Sequence, residues 1–224
     1  MAAFVLVICI FIADTVLHLH FQRTRPDDGI DHLPCAVTKV FLIPTLYLGL
    51  FLASDAFARP LQNPDVVLFI AVCYWLGDVL LIFKAHFVFY IGVVAFMLGH
   101  VGYILYFRAF GFCFPALVLA IVVSAAFYAH YCLAIVRRKP ALMAGFLLYG
   151  LMIMAFAVGM ASFFSYEHVR SSILALCGVA AFAYSDSRIA YNMAGYGKTS
   201  DLVIMSTYIL ANVLLASAIW CINA

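Results

Sequence analysis

PDVVLFIAVCYWLGDVLLIF, residues 64–83, decides the fold. Its twenty residues carry two charges, Asp65 at the start and Asp78 near the end. At about 1.5 Å per residue they make about 30 Å of helix, the thickness of a bilayer's hydrocarbon. Asp78 is the informative residue, because an ionised Asp at the centre of a membrane helix costs about 2.5–3.5 kcal/mol on insertion scales. The same oddity recurs at Asp186 in ILALCGVAAFAYSDSRIA, residues 173–190. A chain that carries this cost twice uses the carboxylates, so the search for function starts from Asp78 and Asp186.

Outward from residues 64–83, seven more apolar segments are long enough to span: roughly 2–21, 36–53, 87–107, 112–136, 141–163, 170–190 and 202–222. The chain of 224 residues is 68% hydrophobic and 10% charged, against about 25% charged in soluble domains. A soluble core of this size cannot hide so much apolar surface. The expectation is an all-α polytopic transmembrane bundle of eight helices, forming a single transmembrane domain over 1–224. The breaks between helices are polar or Pro-bearing: RTRPDDGIDHLP, ARPLQNPD, RRKP with Pro140 near the start of helix six, and NMAGYGKTSD. The first segment lacks a basic leader and carries Asp14, so it reads as a retained helix rather than a signal peptide. A net charge of +2 and one short basic run give no sign of a nucleic-acid partner. No two of the seven cysteines lie closer than 19 residues, so no CxxC pair grips zinc. They read as small buried hydrophobes, and no metal or cofactor is expected.

Lys and Arg set the orientation. The odd loops and their flanks hold Arg23, Arg25, Lys39, Lys84, Arg137, Arg138, Lys139, Arg188 and Lys198, while the even loops hold Arg59, Arg108 and Arg170. This bias puts the odd loops in the cytosol and both termini on the other side. Counted from the odd-loop helix ends, Asp14, Asp78, His130 and Asp186 all lie roughly 6–10 Å deep. Lys39 enters from the same side, and His100 lies deeper. These groups are expected to converge on a cavity open to that face. Plainer readings stand beside this one. Asp14 and His18 share a helix face and make a local ion pair. His130 is a hydrogen-bonded core histidine, and His32 and His86 sit at the boundary. Lys39 snorkels to the headgroups. Asp78 or Asp186 pairs structurally with Lys39 or Arg188.

The small neighbours Gly77, Ser185 and Ser187 leave room beside the two aspartates for a ligand headgroup. GHVGY puts His100 and Tyr103 one turn apart. With TKVFLIP at 38–44, GDVLL at 77–81, FMLGHVGY at 96–103, YGLMIM at 149–154 and CGVAAFAYSDSRIA at 177–190, plus Tyr208 and Asn212, the chain resembles the lysoplasmalogenase (YhhN-like) family of membrane hydrolases. The resemblance runs from about residue 36 to about 215. It departs at Asn212, where the family tends to carry Gln, and in the first helix and the acidic loop after it.

The resemblance implies cleavage of the vinyl-ether bond of a lysoplasmalogen. The products are a fatty aldehyde and glycerophosphoethanolamine or glycerophosphocholine. It makes Asp78 and Asp186 the acid/base pair, with His100 and Tyr103 orienting a carboxylate and Lys39 meeting the substrate phosphate. Tyr149, Ser185, Ser187, Tyr208 and Asn212 would bind or orient the substrate. The partners implied are a lysophospholipid and the membrane lipid around it. The membrane is the endoplasmic reticulum in a eukaryote and the inner membrane in a bacterium. A competing class is a proton-coupled transporter or lipid-binding protein, since intramembrane Asp and His also make relays. A transporter needs a midplane site open to both sides, whereas these carboxylates lie toward one face. A purely structural bundle predicts that Asp78→Asn stays active.

Overall fold

The computed structural model describes residues 1–24, 33–83, 86–138 and 143–223. Arg25, His32, Lys84, Lys139 and Pro140, which entered the readings above, lie outside the described residues. Most of the described chain is helical for a physical reason. Lipid offers backbone N–H and C=O groups no partner, so each segment must satisfy its own. Eight helices form among the described residues: α1 Ala2–Thr24, α2 Leu33–Ala56, α3 Pro64–Leu80, α4 His86–Phe107, α5 Phe114–Arg138, α6 Met143–Ser162, α7 Val169–Ala194 and α8 Asp201–Ile222. No strand occurs among the described residues. Six of the eight are long and apolar enough to cross a bilayer: α1, α2, α4, α5, α7 and α8. α3, with 17 residues, and the apolar stretch Leu147–Ser162 of α6 are shorter. Large apolar side chains such as Phe87, Leu119 and Leu148 face outward. In water such a surface would aggregate, and in a bilayer it is solvated. The chain is therefore a multi-pass membrane protein.

Two compact units divide the chain. The first comprises residues 1–102 and 219–224, the second residues 103–218. In the first, α2 packs on both α1 and α3. Its core is built from Leu42, Ile43 and Tyr47 of α2 with Val67, Ile70 and Tyr74 of α3, all nearly inaccessible. α1 buries little beyond His18, whose Nδ1 lies 2.8 Å from Thr38 Oγ1. The Thr38 proton goes to the Pro34 carbonyl, so Nδ1 donates, and Nε2 accepts from Gln22. This corrects the local pair expected between Asp14 and His18. The histidine is spent on joining α1 to α2, and Asp14 Oδ2 has no hydrogen-bond partner among the described residues.

Gly99 explains why GHVGY is rich in glycine. A Cβ there would overlap the ring of Tyr74, which stacks edge-to-face on Phe96 and His100. That ring is fully buried and cannot swing away. Gly99→Ala is expected to destabilise the protein by about 1–3 kcal/mol through overpacking, read as a lowered thermal unfolding midpoint in detergent.

In the second unit α5, α6 and α7 pack on one another. Phe156 stacks on Tyr103, and Phe182 on Tyr208, all four buried. α7 runs four residues past the expected end and stops at Gly195, whose φ of 79° only glycine adopts without strain. Gly195 N–H donates to Asn192 O, and Tyr196 N–H to Tyr191 O, the double bond of a Schellman cap. The equal depths expected of the polar groups are not reproduced at the helix ends. Asp14 lies ten residues before Thr24, Asp78 two before Leu80, His130 eight before Arg138 and Asp186 eight before Ala194.

Candidate active site

Each aspartate has its own setting. Asp78 stands in the last turn of α3, 1% exposed, and the Nζ of Lys39 on α2 lies 3.3 Å from its Oδ1. The pairing follows from the packing of α2 on α3, because the long Lys39 stem lies along apolar helix while its ammonium reaches the carboxylate. A buried charge left alone would be strongly destabilising, and the ammonium offsets that cost. The Lys39 ammonium, expected at a substrate phosphate, is here engaged with Asp78. His100, in the same unit, is fully buried, its ring 5.7 Å from Tyr74 and nearly perpendicular to it.

Asp186, on α7 in the second unit, receives a hydrogen bond from the Tyr149 hydroxyl of α6 at Oδ2. It lines a cavity of about 360 Å³ between α5, α6 and α7. That volume is in the range of small-molecule sites, about 300–1,000 Å³. The wall is apolar over most of its length, with Val123, Phe127, Ile153, Met154, Leu176 and Val179. Polar groups enter it from Tyr184, Asp186, Ser187 and Arg188 of α7 and from Ser124, Tyr128 and Tyr131 of α5. A second cavity of about 510 Å³ shares Phe127 and Arg188 with the first and is markedly more polar. His130 lines this one.

The remaining candidates divide by what their polar atoms do. Ser185 Oγ donates to the Ile204 carbonyl of α8 at 3.0 Å, tying two helices. Ser187 Oγ donates to Tyr184 O of its own helix at 2.8 Å. Tyr208 is buried in the stack with Phe182, and Tyr103 in the stack with Phe156. Asn212 Nδ2 donates to Tyr208 O at 3.0 Å, and its Oδ1 has no hydrogen-bond partner among the described residues. His100 belongs to the first unit and Tyr103 to the second. Among the described residues no three His, Cys, Asp or Glu side chains gather closely enough to hold a metal ion.

Sequence reading left two features of this site out. The apolar wall was invisible, because each lining residue is an ordinary membrane-helix residue until α5, α6 and α7 are packed. From sequence, Arg188 reads as a loop flank or a partner for an aspartate, and its place in the cavity wall depends on α7 continuing past it to Gly195.

The family model described as the YhhN family matches residues 35–219. The matched span takes in Asp78, Asp186, Lys39 and Tyr149, and leaves out Asp14 and His18. Comparison with curated proteins and with solved structures returns no match.

Proposed function

The chain belongs to the YhhN family, the lysoplasmalogenase-like membrane proteins, and we propose that it hydrolyses the vinyl-ether bond of a lysoplasmalogen. The observation that carries this reading is the cavity of about 360 Å³ whose apolar wall leads to Asp186 and its Tyr149 hydroxyl. An apolar wall suits an alkenyl tail, and a carboxyl group at its polar part suits acid-initiated cleavage of the bond where tail meets headgroup.

The chemistry fixes what the residues must do. A proton adds to the alkenyl carbon distal to the ether oxygen, leaving an oxocarbenium ion at the carbon bonded to oxygen. Water adds there and loses a proton, giving a hemiacetal. Collapse breaks the C–O bond, releasing a fatty aldehyde and the glycerophospho-alcohol. One carboxyl must deliver the first proton. A carboxylate must stabilise the cation and take the proton from water, as in glycoside hydrolysis. In this proposal Asp186 and Asp78 divide these tasks, Tyr149 positions Asp186, and Lys39 holds Asp78. No cofactor enters the scheme.

The test is aldehyde release from purified protein in detergent supplied with lysoplasmalogen. Release that follows protein concentration supports the reading, and none from folded protein rejects it for this substrate. The saturated alkyl-ether analogue has no double bond to protonate. It is expected to bind as a competitive inhibitor and to yield no aldehyde, and its cleavage would rule out carbon protonation as the first step.

A further inference from the structure

The tail and the carboxyl chemistry leave the cavity of about 510 Å³ unexplained. Among the described residues, two basic side chains, His130 and Arg188, line it, and no acidic one does. The Arg188 guanidinium lies over the rings of Tyr184 and Tyr191, at 4.8 and 5.3 Å from their centroids. Its Nε is buried without a hydrogen-bond partner among the described residues. A guanidinium is always charged and acceptor-seeking, so this one is held in place with a donor unspent. The rest of the lining is tied together by hydrogen bonds. Asn192 clasps Thr199 through two hydrogen bonds of 2.8 Å, and the Tyr196 hydroxyl donates to Ala134 O of α5 at 3.0 Å.

We propose that this cavity takes the phosphate ester of a lysophospholipid headgroup, with Arg188 as the partner of the anion. The inference rests on the lysophospholipid reading above and names the headgroup site for it. A planar guanidinium binds two phosphate oxygens at once, which an ammonium cannot do. Cation–π contact with the two tyrosine rings restrains the guanidinium before the ligand arrives, so less freedom is lost on binding. Arg188 also lines the apolar cavity with Asp186, so a headgroup held there leaves the tail and the ether bond on the Asp186 side. Lys39, the phosphate partner expected from sequence, already faces Asp78.

The test compares ligands with and without the phosphate, using the full chain in detergent. Calorimetry with the uncleavable 1-O-alkyl-glycerophosphoethanolamine and with 1-O-alkylglycerol is expected to give a preference of about tenfold or more for the phosphate-bearing lipid. Arg188→Gln should remove most of that preference, and Arg188→Lys should keep part of it. Should Arg188→Gln not fold, the Arg188→Lys preference must still fall about threefold. An unchanged preference in the folded variants overturns the proposal. Inorganic phosphate serves as a third probe. If it binds as tightly as the ether lipid, the cavity is a free-phosphate site and the headgroup assignment fails. Turnover separates this inference from the reaction. Aldehyde release with full preference for phosphate in Arg188→Gln rejects the subsite alone. Arg188-dependent binding without aldehyde release supports the subsite and rejects the reaction.

Discussion

Asp186→Asn is expected to lower the rate of aldehyde release by about 10²–10⁴-fold, the range that general acid–base groups contribute. Asn keeps the size of the side chain and an oxygen to accept the Tyr149 hydroxyl, so the fold and the cavity should persist. What it loses is the ability to hold or give up a proton. A chemical step dependent on that proton falls in kcat, while affinity for the saturated ether stays near that of the unaltered protein, because the apolar wall is untouched. Single-turnover aldehyde release and analogue binding measure the two quantities separately. Tyr149→Phe removes one hydrogen bond to the carboxyl and leaves the proton carrier, so its loss should be much smaller than that of Asp186→Asn. Normal turnover by folded Asp186→Asn would remove this carboxylate from the mechanism. A loss of binding equal to the loss of rate would make it a substrate-holding group instead.

The fold was legible because bilayer thickness sets helix length, and runs of about 20 apolar residues are countable. Helix ends were less so. The apolar run around Asp78 reaches residue 83, yet α3 ends at Leu80, since hydropathy marks burial and not hydrogen bonding. α7 runs on through Arg188 and Asn192, because polar residues do not stop a helix and the left-handed Gly195 does. Spacing along a helix suggests local partners and says little of distant ones. The Asp14–His18 pair was such a local guess. The longer-range contact with Thr38 replaced it, because a hydroxyl 20 residues away leaves no trace in spacing. A pairing of Asp78 or Asp186 with Lys39 or Arg188 was among the readings, but which pair forms depends on how α2 packs on α3. Rare charged residue types in lipid pointed to the candidate carboxylates, and the reaction came from the family resemblance. Its shape came from common residues whose positions only the packing defines.

Removing Lys39 alone separates the structural and chemical roles of Asp78. Lys39→Met is expected to destabilise the protein by about 3–5 kcal/mol, the usual cost of leaving one member of a buried ion pair uncompensated. Asp78 is 1% exposed, so water cannot replace the lost ammonium. The double variant Lys39→Met/Asp78→Asn carries no charge at either position and should recover most of that stability, which denaturant unfolding in mixed micelles would measure. A neutral Lys39→Met would mean that the 3.3 Å contact does not hold the fold. Activity then discriminates. If the double variant folds and still releases aldehyde, the pair is structural glue, and the catalytic reading of Asp78 is wrong. If it folds and is inactive, the carboxylate itself is needed, because the fold has been restored without it. The same comparison bears on the choice between hydrolase and bundle. A bundle needs only that the charges cancel, whereas vinyl-ether hydrolysis needs a carboxylate that survives the cancellation.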